Sequence, residues 1–399
     1  MTVPLRPFEP VGSDQLVELG TQPIPVTPYC DPGYFDLERD AIFRRCWLHV
    51  GHLADLPEPG SYIVRELEIA SASILIVRGK DGVIRAFHNV CTHRGTQLVA
   101  QESGRASKFS CPYHSWTFND RGDLHAAPDF NRFFVEKADC SLKKVAVEIC
   151  GGLIYINLDA KPNQSLAEFL GPLKEQLDSL PCATATAFAE YHYEIDANWK
   201  LVYDNFQEHY HLRFIHAKSS GGAGTGPSNP FGYATKFEFI GPHRKEETWF
   251  NPDFQPAHVQ GIAMNALASD AIKQGFPPLG NAEYLCMFPN FFMFTSSFFP
   301  FSHTVFPVGP RKTRGVFRFY WQGEDDSASQ RFAREYSLAA MRDVHAEDRA
   351  VIEAGQRGMC SGAIKHIHFQ AQEALCRHFF NTVDAAVQAY VAENRERRV

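Results

Sequence analysis

Two short loops carry residues that could bind metal. "CTHRGTQL" supplies Cys91 and His93, and "CPYHSW" supplies Cys111 and His114. Thiolate and imidazole suit either zinc or an iron–sulfur cluster. A structural zinc site usually pairs like with like, as C-x2-4-C followed by H-x3-5-H. Here each loop contributes one Cys and one His. A 2Fe–2S cluster with two cysteines on one iron and two histidines on the other needs that alternation, because each loop must reach both irons. Gly95 and Pro112 would keep the loops tight, and the Ser115 hydroxyl could hydrogen-bond a cluster and tune its potential. Zinc remains the competing reading of these four residues.

A second set lies in "NWKLVYDNFQEHYHLRFIH", which reads as one helix. His211 and His216 are five apart, Glu208 lies three before His211, and Asp204 a further turn back. On a helix, positions 208 and 211 share a face. Two histidines and one carboxylate make the facial triad of non-haem iron(II) oxygenases, which leaves coordination positions open for dioxygen and substrate. H-x4-H alone is a weak signal, since a lone His pair in a helix is more often structural. His209 is expected to point elsewhere, as a surface or supporting group, and Asn205 and Trp199 fit supporting or packing roles.

The elements that must position these residues fall into two regions. At 399 residues the chain is long for one core. Residues 40–160 read as short strands: "SYIVREL", "SASILIVRG" and "VIRAFHNV", with "GKDG" as a hairpin turn, and "KKVAVEICGGLIYINLD" as a strand pair around Gly151 and Gly152. Both Cys/His loops fall inside this β region. From about 165 the texture changes. "SLAEFLGPLKEQLDSL" has a Ser cap with Glu three residues on. A strand "FAEYHYEID" follows, then the His-bearing helix. Residues 217–283 read as long Gly/Pro/Ser/Ala-rich loops with short helices, suited to a lid or pocket wall. Aromatic strands come next, and 327–358 and 366–394 read as helices. The fold class is α+β: a β-rich domain at 40–160, and a second domain from 1–39 and 161–399 with helices covering an antiparallel sheet.

A net charge of −7 argues against a nucleic-acid partner. No apolar run is long enough to span a membrane. The start shows no signal-peptide pattern, and ten scattered cysteines suit free thiols in a reducing cytoplasm.

"CTHRGTQL" and "CPYHSWTFNDRGDL" resemble the Rieske motifs of the ring-hydroxylating oxygenase α-subunits, and the Asn-Trp-Lys segment through His216 is similar to the family's iron-binding segment. The resemblance implies a Rieske 2Fe–2S cluster on Cys91, His93, Cys111 and His114, and a mononuclear non-haem Fe(II) on His211 and His216. It places the third ligand in "HAEDRAVIEAGQRG", at Asp348, with Glu347 and Glu353 as competitors and Asp204 as a fallback. Glu208 takes the position of the family's acidic bridge, which carries electrons from one subunit's cluster to the next subunit's iron. A homotrimer is therefore implied.

Eight phenylalanines crowd between positions 288 and 306. Most must be core, but Phe291 and Phe294 are expected to line a pocket in the family's manner. The expected activity is that of a terminal mono- or dioxygenase. It would use O2 and NAD(P)H-derived electrons from a separate reductase, with or without a ferredoxin, to hydroxylate or oxidatively demethylate a small organic substrate. No dinucleotide fingerprint follows a strand here. An aromatic compound, as in aromatic hydrocarbon catabolism, is the first expectation for the substrate. A quaternary ammonium compound such as carnitine or betaine is the alternative, because oxygenases acting on these also carry Glu at the bridge. A Rieske electron carrier without oxygenase chemistry would need no second metal site.

Overall fold

The computed structural model describes residues 13–219, 221–273, 282–296, 300–321 and 327–396. It divides into two compact units, one of Arg39–Asp178 and one of residues up to Glu38 together with Ser179 onward.

The smaller unit is built from the alternating strands. β1 (Leu48–His52), β2 (Ser61–Leu67), β3 (Ala72–Arg78), β4 (Ile84–His88) and β5 (Ser103–Arg105) join β9 (Lys144–Cys150) and β10 (Leu153–Asn157). They form a seven-stranded antiparallel sheet in the order β1-β10-β9-β4-β3-β2-β5. Gly151 and Gly152 make the two-residue β9–β10 turn at φ 57° and 75°, the pair of positive values such a hairpin requires. A three-stranded sheet carries the second loop: β6 (Lys108–Ser110), β7 (Thr117–Asn119) and β8 (Leu124–Ala126). Its Phe109, Phe118 and Trp116 share one core with Leu75, Val77 and Phe87. The unit runs on to Asp178. A short helix, Leu166–Leu170, has the expected Ser165/Glu168 capping box. Leu173 and Leu177 of the next helix are buried, and Asp178 accepts the Gly151 N–H at 2.7 Å.

The larger unit is a seven-stranded antiparallel sheet with helices. Its strands are β11 (Ala187–Ile195), β12 (Lys236–Ile240), β13 (His243–Glu247), β14 (Glu283–Met287), β15 (Phe291–Phe294), β16 (Phe301–Gly309) and β17 (Lys312–Trp321). Their order is β11-β17-β16-β15-β14-β13-β12. Its helices include α1 (Trp199–Asn205), α2 (Leu212–Ile215), α3 (His258–Lys273), α4 (Ala328–Met359) and α5 (Ala374–Glu396). The class is α+β, as the sequence indicates. None of the described helices is long and apolar enough to cross a membrane.

Three local readings change. The segment 217–283 is not mainly loop: it contains β12, β13 and the 16-residue α3. The last helix starts at Ala374, because His366 and Ile367 are taken into a strand pair with Pro25 and Ile24. The expected continuous helix through His216 stops at Asn205 and resumes at Leu212. The residues that interrupt it are bonded to β13. Gln207 accepts from buried Arg244, and His209 pairs with Glu246 at 2.8 Å. Those tertiary contacts override helical propensity.

α1 is pinned by a buried ion pair. Asn198 caps it, accepting the Lys200 N–H at 3.1 Å. Lys200 Nζ lies 2.5 Å from Glu38 Oε1, Trp199 Nε1 donates to Glu38 Oε2 at 2.9 Å, and both charged side chains have 0% exposure. Burial pushes both groups toward neutrality and their mutual contact opposes it. Removing one partner leaves the other buried and uncompensated. Lys200→Met is expected to cost about 3–5 kcal/mol, seen as a lowered urea midpoint. An unchanged midpoint would show that the pair does not hold α1.

Candidate metal centres and substrate cavity

In the smaller unit the two loops have matching backbones. Gly95 N–H bonds to Cys91 O at 2.9 Å, and Ser115 N–H to Cys111 O at 3.0 Å. Gly95 and Ser115 occupy the corresponding positive-φ positions, at 78° and 58°. The serine adopts a conformation uncommon outside glycine, at a cost the loop must repay. Cys91 and Cys111 point into the core and are in thiol–thiol contact. His93 and His114 lie at the half-exposed tip with ring centroids 4.6 Å apart. Trp116 stacks on His93 at 4.8 Å, and Tyr113 covers His114 at 3.7 Å. Desolvation, then the neighbouring His114 and Arg94, lowers the His93 pKa, which favours the neutral imidazole a metal needs. Two adjoining thiols behind two adjoining imidazoles fit the donor set of a two-iron cluster.

In the larger unit the structure gathers His211, His216 and Asp348, with one ligand atom from each all lying within 4.8 Å of one another. His216 Nε2 is 2.9 Å and His211 Nε2 3.6 Å from Asp348 Oδ1. Asp348 is 1% exposed, and Oδ1 has no hydrogen-bond partner. A buried, orphaned carboxylate oxygen facing two imidazole nitrogens fits a divalent cation. Both outer nitrogens are held by carboxylates. His211 Nδ1 meets Glu208 Oε1 at 2.5 Å, and His216 Nδ1 meets Glu347 Oε2 at 2.7 Å. Burial pulls the His216 pKa down, but Asp348 and Glu347 together hold it above its ordinary value.

The other carboxylates are engaged elsewhere. Asp204 is buried under the Tyr29 hydroxyl at 3.0 Å, and burial pushes its carboxyl up to about 8. Glu353 takes Arg349 at 2.8 Å. Glu347 stands behind His216 rather than with the triad. His209 is not a surface group. Gly232 O, at 2.7 Å from Nδ1, and Glu246 hold it, and despite the opposing effect of burial they raise its pKa to about 9.

A cavity of about 780 Å³ opens onto His211, His216 and Asp348. Asn205 and Phe294 line it, with Phe206, Trp249, Tyr284 and Phe301. Phe291 does not: it is 1% exposed in the core, where its carbonyl accepts from Tyr203. Alternation along β15 sends Phe291 and Phe294 to opposite faces. Phe298 and Phe299 lie outside the described residues. Sequence reasoning missed the wall formed by α4. Ser337, Met341, Val344 and Asp348 line the cavity at spacings of 4, 3 and 4, a helical stripe legible in "SLAAMRDVHAED".

Two family models match the chain: the ring hydroxylating alpha subunit (catalytic domain) over residues 182–389, and the Rieske [2Fe-2S] domain over 46–145. The chain therefore belongs to the ring-hydroxylating α-subunit family, and membership implies the 2Fe–2S cluster and the mononuclear iron. Among its relatives is the glycine betaine monooxygenase oxygenase subunit of Chromohalobacter salexigens. It is 38% identical over 49% of this chain, which spans only 44% of that relative's length. The carnitine monooxygenase oxygenase subunit of Acinetobacter pittii is 28% identical over 84% of each chain. The solved structure of the quaternary ammonium Rieske monooxygenase CntA with L-carnitine superposes with a TM-score of 0.74. It is 25% identical, and the match covers 95% of this chain and 99% of that one.

His211→Ala should leave the visible absorption of the cluster unchanged and lower the iron content of purified protein from about three to about two per chain, the complement of the cluster alone. Full iron in the variant would show that the metal is held elsewhere.

Proposed function

We propose that this chain is the terminal oxygenase of a multicomponent system, that it oxidises a quaternary ammonium compound, and that it works as a homotrimer in the cytoplasm. The observation that carries the reading is the three-ligand cluster of His211, His216 and Asp348 facing an aromatic-walled cavity, in a chain that also has a Rieske site. Cys91, His93, Cys111 and His114 hold the 2Fe–2S cluster, and His211, His216 and Asp348 hold the iron. Bound there, iron(II) with positions left open by three protein ligands supplies dioxygen activation. Reducing equivalents come from a separate NAD(P)H-dependent reductase, directly or through a ferredoxin.

The protein's own residues have distinct parts in this reading. Glu208 fixes the His211 tautomer through Nδ1 and bridges toward the imidazole of a neighbouring subunit's cluster. Phe206, Trp249, Tyr284, Phe294 and Phe301 exclude water and present ring faces and edges. Such walls attract a trimethylammonium group by cation–π contact without an ion pair. The relatives' names support this class over the aromatic compounds first expected from the sequence. The eight cysteines other than Cys91 and Cys111 form no disulfide, which suits a reducing compartment.

Oxygen uptake with a generic reductase should depend on carnitine or betaine-type substrates and release formaldehyde where an N-methyl group is hydroxylated. Uptake supported only by aromatic acids would overturn the substrate class. Glu208→Gln should keep both metals and slow turnover about 10- to 100-fold. An undiminished rate would remove the bridge.

A further inference from the structure

Glu347 sits next to Asp348 on α4, so the two side chains leave the helix about 100° apart. They approach His216 from different sides. Asp348 Oδ1 faces Nε2 at 2.9 Å, and Glu347 Oε2 faces Nδ1 at 2.7 Å. The same Glu347 oxygen accepts the Ser219 hydroxyl at 2.6 Å. Ser219 follows His216 on a tight turn, its N–H bonded to His216 O at 3.1 Å, and both Ser219 and Lys218 line the cavity.

An ionised carboxylate only accepts, so a proton must sit on His216 Nδ1. The Nε2 lone pair is then directed at the cluster of ligand atoms. One oxygen therefore fixes the tautomer of His216, the rotation of its ring, and the placement of the cavity wall at Ser219. Glu208 serves His211 in the same way at 2.5 Å, but Glu347 has 32% side-chain exposure against 14% for Glu208.

We infer that Glu347 is a positioning residue for the mononuclear metal, and that it ties the seat of the cavity wall after His216 to the orientation of that ligand. This rests on the reading of His211, His216 and Asp348 as the metal ligands. The carboxylate makes His216 a stronger and better-aimed donor without touching metal or substrate.

The test uses full-length protein with its cluster retained and its mononuclear metal removed. Cobalt(II) is titrated in and followed by its visible ligand-field bands. Glu347→Gln can still accept the Nδ1 proton through its amide oxygen, and is expected to weaken cobalt(II) binding about tenfold. Glu347→Ala loses the contact and should approach a hundredfold, with shifted bands. The cluster absorption should be unchanged in both. Wild-type affinity and bands in Glu347→Ala overturn the role. If that variant does not fold, wild-type affinity and bands in Glu347→Gln do so. Failure of the wild-type protein to bind cobalt(II) is a different result, which overturns the ligand assignment itself.

Discussion

The larger unit depends on bringing three side chains from two distant segments to one point and keeping them there. His211 and His216 lie in a stretch with little regular structure, and Asp348 lies in the C-terminal half of a 32-residue helix. A loop cannot hold metal-ligand geometry unless its own contacts fix it. Here they do. Upstream, α1 is fixed by Lys200 and Trp199 on Glu38. Within the turn, Gln207 is held by Arg244 and His209 by Glu246, both on β13. The segment leading into the two histidines is therefore held by buried polar pairs. Buried pairs are costly to form and more costly to break, so the segment has one strongly preferred arrangement.

The same economy shapes the smaller unit. Its two loops repeat one hydrogen-bonding pattern, with Cys at the start, His two or three residues on, and a positive-φ residue closing the turn. Glycine fills that closing position in one loop and serine in the other. A serine held at φ 58° carries strain that Gly would relieve. The aromatic packing of Trp116 and Tyr113 on the two imidazoles keeps them oriented while their tips stay near solvent.

Much of this was legible in the sequence. Strands such as Ser61–Leu67 and the Gly151–Gly152 hairpin were readable because alternation and turn chemistry are local signals. The Ser165 capping box was readable for the same reason. The helix expected through His216 was not, because its interruption depends on partners at 244 and 246 that no local window contains. The same limit explains the carboxylates. Asp204, Glu347, Asp348 and Glu353 all sit at helical positions, and spacing alone cannot rank them. Resemblance singled out Asp348, and the packing sets it facing both histidines while the other three are engaged elsewhere. Phe291 illustrates the period-two rule from the other side: three positions from Phe294, it must face the other way along the same strand.

The two histidines are not equivalent, and the difference bears on how the larger unit divides its tasks. Both use Nε2 toward the common point and Nδ1 toward a carboxylate. The carboxylate behind His211 comes from three residues upstream in the same turn, so this pair moves as one piece. The carboxylate behind His216 comes from α4, 131 residues away, next to Asp348. His216 thus faces a single helix with both nitrogens, bonded to Glu347 through Nδ1 and opposite Asp348 at Nε2, while His211 belongs to the turn. A shift of α4 would carry Asp348 and His216 together and change their distance to His211. The open side of the site lies along the cavity, whose wall α4 also forms. One element therefore sets two of the three ligand positions and one side of the space for substrate. Substitutions on the cavity face of α4 should for that reason be harder to confine to substrate binding than substitutions on the sheet side at Tyr284 or Phe294.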